Sequence, residues 1–411
     1  MAVTLATSSI QVRPQPLGIY PLPVSFLLLP EASSRDTGEA LGALLAGDAS
    51  VAVDARWSFY TLAIAGQYDE AYEAIAGDGV LDEWNRFVLR PDPKRYAVLL
   101  REMAQDLLPF VYAAGYAFGL REEAPESGDL EAELRAQVLL TAASWYLERE
   151  ENAEALKLLE EAQAHARDVS PLLRAQILHQ IATVEREASP AMAIAHYKEA
   201  IRLAKDTPLI SLRAELWLNL GTVLQQASGG RREPLLEASR AYQESIQCGL
   251  SLDCFPELYG FAQTNLALTF LTIPARDASD QLRMGIAVQG LREALKVFRR
   301  ETHPEMWSSV QLNLANALQY IPSSHPEENL QQAVELYEEL LEVRSRAKDP
   351  LSYARLLANQ ANALAHLGIF GPALEKLNEA HKLFHWHGEP EMAASVLETT
   401  AEINQRIEEA R

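Results

Sequence analysis

Apolar residues recur at helical spacing along most of the chain, and small residues recur among them. The segments 311–318 and 357–364 show this best, since they read Gln-Leu-Asn-Leu-Ala-Asn-Ala-Leu and Leu-Ala-Asn-Gln-Ala-Asn-Ala-Leu. Apolar positions three and four residues apart lie on one face of a helix. A second segment follows each of them, in which an alanine precedes a large apolar residue by four positions, as in Ala333 and Tyr337. The pattern therefore predicts pairs of amphipathic helices.

These helix pairs form a repeat. One asparagine recurs at positions 219, 265, 313 and 359, which gives a period of 46 to 48 residues. An all-helical repeat stacks, because each repeat buries its apolar face only against its neighbours. We therefore expect a superhelical stack that ends in a polar capping helix near 390–409. The six predicted pairs lie near residues 130–167, 171–205, 209–248, 255–299, 304–346 and 350–385.

The first 50 residues differ from the rest, since prolines at positions 14, 16, 21, 23 and 30 prevent a continuous helix. We interpret residues 1–50 as an extended, proline-rich arm. Its apolar run from Val24 to Leu29 has to be covered by something. Two interpretations stay open. The arm docks on the chain's own first helices, or it contacts a partner or a second copy of the chain, which would make a homo-oligomer.

Three further regions follow the arm. Residues 51–125 are predicted to form an N-terminal helical subdomain that holds one weaker helix pair, with a helix break at Pro109. Glu122 to Asp129 is the best linker candidate, because it contains proline and glycine. Residues 126–388 hold the repeat of about six helix pairs, and residues 389–411 form the capping helix.

The repeats resemble the tetratricopeptide (TPR) family. The best match is Trp217-x2-Leu220-Gly221 in a first helix and Ala238-x3-Tyr242 in the second. The resemblance implies an all-α fold, a right-handed superhelical solenoid of antiparallel helix pairs, in which small residues let helices cross at ~8–10 Å. The repeats exceed the ~34 residues of the short form, and in this they are similar to the long-repeat branch found in kinesin light chains and spindle-orientation adaptors. Further small residues at the matching places are Ala143, Ala182, Ala267, Ala315 and Ala361 in first helices, and Ala155, Ala193, Ala287, Ala333 and Ala373 in second helices.

In that long-repeat branch, an asparagine two residues before the small residue faces the concave groove and pairs with the backbone of a bound peptide. An amide side chain suits this role because it offers both donors and an acceptor. The alternative is that each asparagine bonds to backbone in the neighbouring repeat. The matching positions are Asn219, Asn265, Asn313 and Asn359, and Asn316 and Asn362 are further groove candidates.

A second resemblance concerns the C-terminal half. From His303 to Trp386 the chain is similar to repeat proteins of actinobacteria and relatives that accompany uptake hydrogenase genes. This resemblance implies an accessory or assembly role, or a structural subunit, for a metalloenzyme complex such as a nickel–iron hydrogenase.

The charge of the chain narrows the classes of partner. With 36 basic and 57 acidic residues the net charge is −21, which disfavours binding to nucleic acid or to an anionic membrane. A solvated acidic surface is the simple interpretation, and a groove for a basic partner segment is the sharper one. No secretory signal is visible, and Cys248 and Cys254 are expected to be free thiols, so we predict a cytoplasmic protein.

No residue set predicts catalysis, a metal site or a cofactor. His381 and His385 are four residues apart, a spacing that can chelate, but no further ligand accompanies them clearly. Nucleophile elbows, phosphate loops and dinucleotide fingerprints are missing from the sequence. The sequence therefore favours a non-catalytic protein-binding scaffold or adaptor over an enzyme, with a partner peptide or domain in its groove. The alternative is the metalloenzyme accessory role given above.

Overall fold

The structure is a computed structural model, which describes residues 27–28, 55–64, 67–167, 171–207, 209–274, 278–322 and 325–409. Its regular structure is helical, apart from Leu27, an isolated β-bridge residue. The predicted all-α fold is confirmed. Among these residues no helix is both long and apolar enough to span a bilayer.

Five short helices come first along the described chain. The break predicted at Pro109 is confirmed, because one helix ends at Glu102 and the next begins at Leu108. Their aromatic side chains form a buried cluster, in which the rings of Trp84 and Phe110 stack with centroids 4.6 Å apart. The five helices are α1 (Ser58–Ile64), α2 (Tyr68–Glu73), α3 (Val80–Leu89), α4 (Pro93–Glu102) and α5 (Leu108–Ala117).

Thirteen longer helices follow within the described residues. Seven of them begin with proline, which is tolerated there because the first N–H groups of a helix have no intrahelical acceptor. They are α6 (Ala132–Leu147), α7 (Asn152–Ala166), α8 (Pro171–Glu185), α9 (Pro190–Ala204), α10 (Ile210–Gln226), α11 (Arg232–Gln247), α12 (Pro256–Thr272), α13 (Ala278–Val297), α14 (Pro304–Tyr320), α15 (Pro326–Val343), α16 (Pro350–His366), α17 (Phe370–Trp386) and α18 (Pro390–Glu409).

The helices α6 to α10 pack consecutively against each other, and so do the helices α12 to α18, joined by short connections. The predicted small residues on these helices lie where the helices of a pair meet. All are buried, with at most 1% of the alanine surfaces exposed. First helices of successive pairs also touch, as α12 does with α14. The helix pairs predicted near 130–167, 171–205, 255–299, 304–346 and 350–385 are therefore present, with the small residues at the predicted positions.

The described chain divides into two compact units. One contains the residues up to Ala227 together with Gln247–Gly249, and the other contains Ser228–Ile246 and the residues from Leu250 onward. The domain boundaries predicted at residues 50, 125 and 388 stay predictions. Within the second unit, the apolar core of the last pair, α16 and α17, continues into α18, where Val396 and Ile403 are buried.

Two residues of the predicted N-terminal arm are described, and both are buried. Leu27 is 0% and Leu28 is 2% exposed. The backbone N–H of Leu28 donates to Asn85 Oδ1 at 2.8 Å, and Asn85 Nδ2 donates to the carbonyl of Leu28 at 2.9 Å. Asn85 belongs to α3, so this point of the arm is held by the chain's own helices. The other residues of 1–50 lie outside the described residues.

Replacing Ala315 with leucine should destabilise the second unit by ~1–3 kcal/mol, because extra methyl groups do not fit at a fully buried contact. Ser309→Leu on the exposed face of the same helix is the matched control and should change stability by less than about 0.5 kcal/mol. Urea denaturation measures both. Equal stability of the two variants would show that Ala315 does not lie at a tight crossing.

Replacing Asn85 with alanine should destabilise the first unit by ~1–3 kcal/mol, because the N–H and C=O of Leu28 lose their partners in a buried place. Limited proteolysis should then cut near Leu28 faster than in the wild type. Asn378→Ala, at an exposed position of α17, is the control. An unchanged cleavage rate would contradict docking of this segment on α3.

Candidate partner-binding face

The first helices of the second unit expose one row of residues each. On α14 this row runs along Glu305, Ser309, Asn313, Asn316 and Tyr320, all half-buried or exposed. Spacings of three and four residues place them on one side of the helix. The opposite side supplies buried residues to the core. Five of the six candidate asparagines lie in such rows, which we call the asparagine face: Asn265 on α12, Asn313 and Asn316 on α14, and Asn359 and Asn362 on α16.

Asn316 is the structural centre of this face. Its Oδ1 accepts hydrogen bonds from the Tyr337 hydroxyl at 2.5 Å and from Asn359 Nδ2 at 3.1 Å. Gln319 Nε2 donates to the same hydroxyl at 2.5 Å. Burial raises the pKa of the Tyr337 phenol above its ordinary range, so the phenol stays protonated and able to donate. The bond from Asn359 joins the first helices of two successive pairs.

The other amide groups of the face keep unused capacity. Asn313 Nδ2 donates to the carbonyl of Ser309, one turn back in its own helix, at 2.9 Å. Asn265 and Asn362 make no side-chain hydrogen bond to any residue that the structure describes. Both residues are half-buried, and neither has a buried side-chain N or O atom without a partner, so their amide groups reach solvent. Such groups can bind the N–H and C=O of another chain.

Two aromatic residues extend the face and were missed in the sequence analysis. Phe261 precedes Asn265 by one turn and is 37% exposed, with its ring 5.0 Å from that of Phe298. Tyr320 follows Asn316 by one turn and is 62% exposed. The signal that would have revealed them is their spacing of four residues from the asparagines. Each offers apolar contact one helical turn from an asparagine of the face.

Asn219 belongs to the first unit and has a different environment. Its Nδ2 lies 2.9 Å from Nε2 of His179 on α8. An amide nitrogen only donates, so this ring nitrogen accepts and the imidazole is neutral. Burial lowers the pKa of His179, and the negative charge of Glu215 opposes this in part. Asn219 is thus paired with a side chain of the neighbouring repeat.

The remaining candidate groups form no further site in the described structure. The rings of His381 and His385 stack with their centroids 6.1 Å apart. Among the residues whose placement is known, no group of three or more histidine, cysteine or acidic side chains has the geometry of a metal site. Cys248 and Cys254 are half-buried and form no disulfide.

Comparisons with known proteins find only distant structural likenesses. No family model and no curated protein matches it. The apo form of RapI is 13% identical over 86% of this chain and 98% of RapI, with a TM-score of 0.47. The Cut9–Hcn1 hetero-tetramer of the APC/C is 15% identical over 89% of this chain and 63% of the matched chain, with a TM-score of 0.47. BtubC from P. vanneervenii is 17% identical over 59% of this chain and 92% of BtubC, with a TM-score of 0.43.

These values are too low to carry an argument about what the chain does. The repeat of helix pairs expected from the tetratricopeptide resemblance is confirmed and is evident from the packing of this chain's own helices. The resemblance to proteins that accompany uptake hydrogenases finds no support in the comparisons.

The first unit should lose stability as the pH falls below about 6.5, the ordinary pKa of histidine. The pKa of His179 is lowered in the folded state, so the unfolded state takes up the proton first and folding is disfavoured at acidic pH. In His179→Gln, an amide oxygen can accept from Asn219 at any pH, so the slope of stability against pH should flatten. Urea denaturation at several pH values measures this, with exposed His387→Gln as the control. Equal slopes in all three proteins would contradict the assignment.

Proposed function

We propose that the chain is a non-catalytic scaffold that binds an extended segment of another protein on the asparagine face. The observation that carries this proposal is the array of half-buried amides on α12, α14 and α16 that have spare donors and acceptors. These amide groups reach solvent in the free chain, so no buried unpaired group has to be relieved. Each amide can pair with both the N–H and the C=O of a bound peptide backbone.

The spacing of the helices suits an extended chain. Packed helices lie ~8–10 Å apart, and an extended peptide advances ~3.3 Å per residue. One helix of the face would thus meet about every third residue of the bound segment. Phe261 and Tyr320 would contact side chains of the segment and add apolar area that backbone pairing alone does not supply.

The asparagines have two roles in this proposal. Asn316 and Asn359 bond to each other and to Tyr337, which supports a structural role for that pair. Asn265, Asn313 and Asn362 keep their free groups and are the residues assigned to the partner. We assign binding as the activity of this face.

The triple variant Asn265→Ala, Asn313→Ala and Asn362→Ala should lose affinity for peptides without losing stability. Alanine favours helix, so the fold should persist. Each lost hydrogen bond removes on the order of 1 kcal/mol, so the dissociation constant should rise by roughly 100-fold. Peptides selected on the wild-type protein from a phage-displayed random library are the probes, and fluorescence anisotropy with thermal melting is the measurement.

Asn316→Ala is the matched control, because it should lower the melting temperature through loss of the bonds to Tyr337 and Asn359. Wild-type affinity in the triple variant would exclude these asparagines from the binding site. Reduced stability with unchanged affinity would assign them to the fold instead. Failure to select any peptide on the wild-type protein would also argue against the proposal.

A further inference from the structure

A recess lies between α15 and α17, the second helices of two successive pairs, and above α16. It encloses about 680 Å³. Leu341 and Tyr353 line it and are half-buried, packed against the apolar core beneath. The recess therefore presents apolar surface between two helices, and it uses none of the residues of the asparagine face. We call it the acidic groove because of its walls.

Each wall of the acidic groove carries two carboxylates. Glu338 and Glu342 lie on α15, and Glu375 and Glu379 lie on α17. The two members of each pair are four residues apart, so their side chains are neighbours on one helix face. All four are exposed or half-buried. Two rows of negative charge thus flank one apolar floor.

These pairs of carboxylates do not stabilise the helices that carry them. Like charges four residues apart on a helix repel each other and weaken it. The only basic side chain that lines the groove in the described structure is Lys376. Repulsion within each wall is relieved when a cation lies between the carboxylates, so the groove is suited to positive groups from outside.

An arginine of the chain itself forms an ion pair with one carboxylate of the groove. Arg346, in the connection between α15 and α16, places Nη1 3.0 Å from Oε1 of Glu379. Arg300 lies farther from Glu342, with Nη1 3.9 Å from Oε2. Glu338 and Glu375 make no ion pair with any residue that the structure describes. The groove binds a guanidinium at one corner and has free carboxylates in both walls.

We infer that the acidic groove binds a basic amphipathic segment of the partner protein. An apolar side chain of that segment contacts Leu341 and Tyr353, and lysines or arginines on either side pair with the carboxylates. Charge complementarity supports this occupant, and the net charge of −21 adds attraction at longer range. The inference rests on the proposed function, since it names the chemistry of the partner, but it concerns a separate surface.

The test uses a fluorescein-labelled peptide of about 14 residues that has leucines spaced three and four apart and arginines on both flanks, the pattern of a helix that docks in a groove. The groove variant replaces Glu338, Glu342, Glu375 and Glu379 with glutamine in the full chain. Affinity should fall about tenfold, since each exposed ion pair contributes only a fraction of that factor. The melting temperature should stay the same or rise, because repulsion within the walls is removed.

The control variant replaces Glu244, Glu398, Glu402 and Glu408 with glutamine. These four lie on exposed helix faces outside the groove, and their replacement changes the net charge by the same amount. The control should retain the wild-type affinity within about twofold. A second peptide, with glutamine in place of arginine, should bind the wild-type protein weakly.

Three results would overturn the inference. Equal losses in the groove and control variants would show general attraction to an acidic surface. Unchanged affinity in the groove variant would show that the peptide binds elsewhere. Tight binding of the glutamine peptide would show that the positive charge of the peptide does not contribute to its affinity. The asparagine triple variant separates this inference from the proposed function. If the groove variant keeps its affinity for the arginine peptide while the asparagine triple variant loses affinity for library-selected peptides, the proposed function stands and only the acidic groove fails.

Discussion

The close approach of neighbouring helices at small residues is the constraint on which the rest of this structure depends. Alanine stands where the first helix of a pair meets its second helix, as at Ala315 and Ala333, and these positions are fully buried. Only small side chains allow backbones to approach within ~8–10 Å. The larger residues one turn away, such as Leu318 and Tyr337, then fill the space beside the crossing. A single bulky substitution at a crossing affects two helices and, through them, the next pair.

The close packing of the helices determines which positions on each helix can hold polar residues. Each helix uses its small and large apolar residues on the sides that face neighbours, and one row remains toward solvent. On the first helices of the second unit that row contains amides, and on α15 and α17 the rows beside the groove contain carboxylates. The two surfaces differ in chemistry because they lie on different helices of the same repeats. One offers hydrogen bonds to a backbone, and the other offers negative charge around an apolar floor.

Polar side-chain contacts join elements that are distant along the chain. Asn85 pairs with both backbone groups of Leu28 and holds a segment that is distant along the chain. Asn316 accepts from Tyr337 and from Asn359, and so connects three helices from two successive pairs. The contact of Asn85 satisfies backbone groups of Leu28 that would otherwise be buried without partners, and such groups are costly. These amides therefore act in the fold, whereas the unpaired ones remain available for a partner.

The sequence by itself determined the helix pairs, their approximate bounds, the break at Pro109 and the positions of the small residues. These features follow from periodicity and from proline, which act within one or two helical turns. The sequence also indicated the asparagines of the candidate face, through their resemblance to a family. It could not decide which of them are free, because the bond between Asn316 and Asn359 joins residues 43 positions apart.

Only the tertiary structure decided that pairing, the docking of Leu28 on Asn85 and the acidic groove. Periodicity shows which face of a helix is polar, but the partner of a side chain depends on the distance and rotation between helices. Glu338 and Glu375 are ordinary surface residues in the sequence, and they become two walls of one groove only because α15 and α17 pack on the same side of α16.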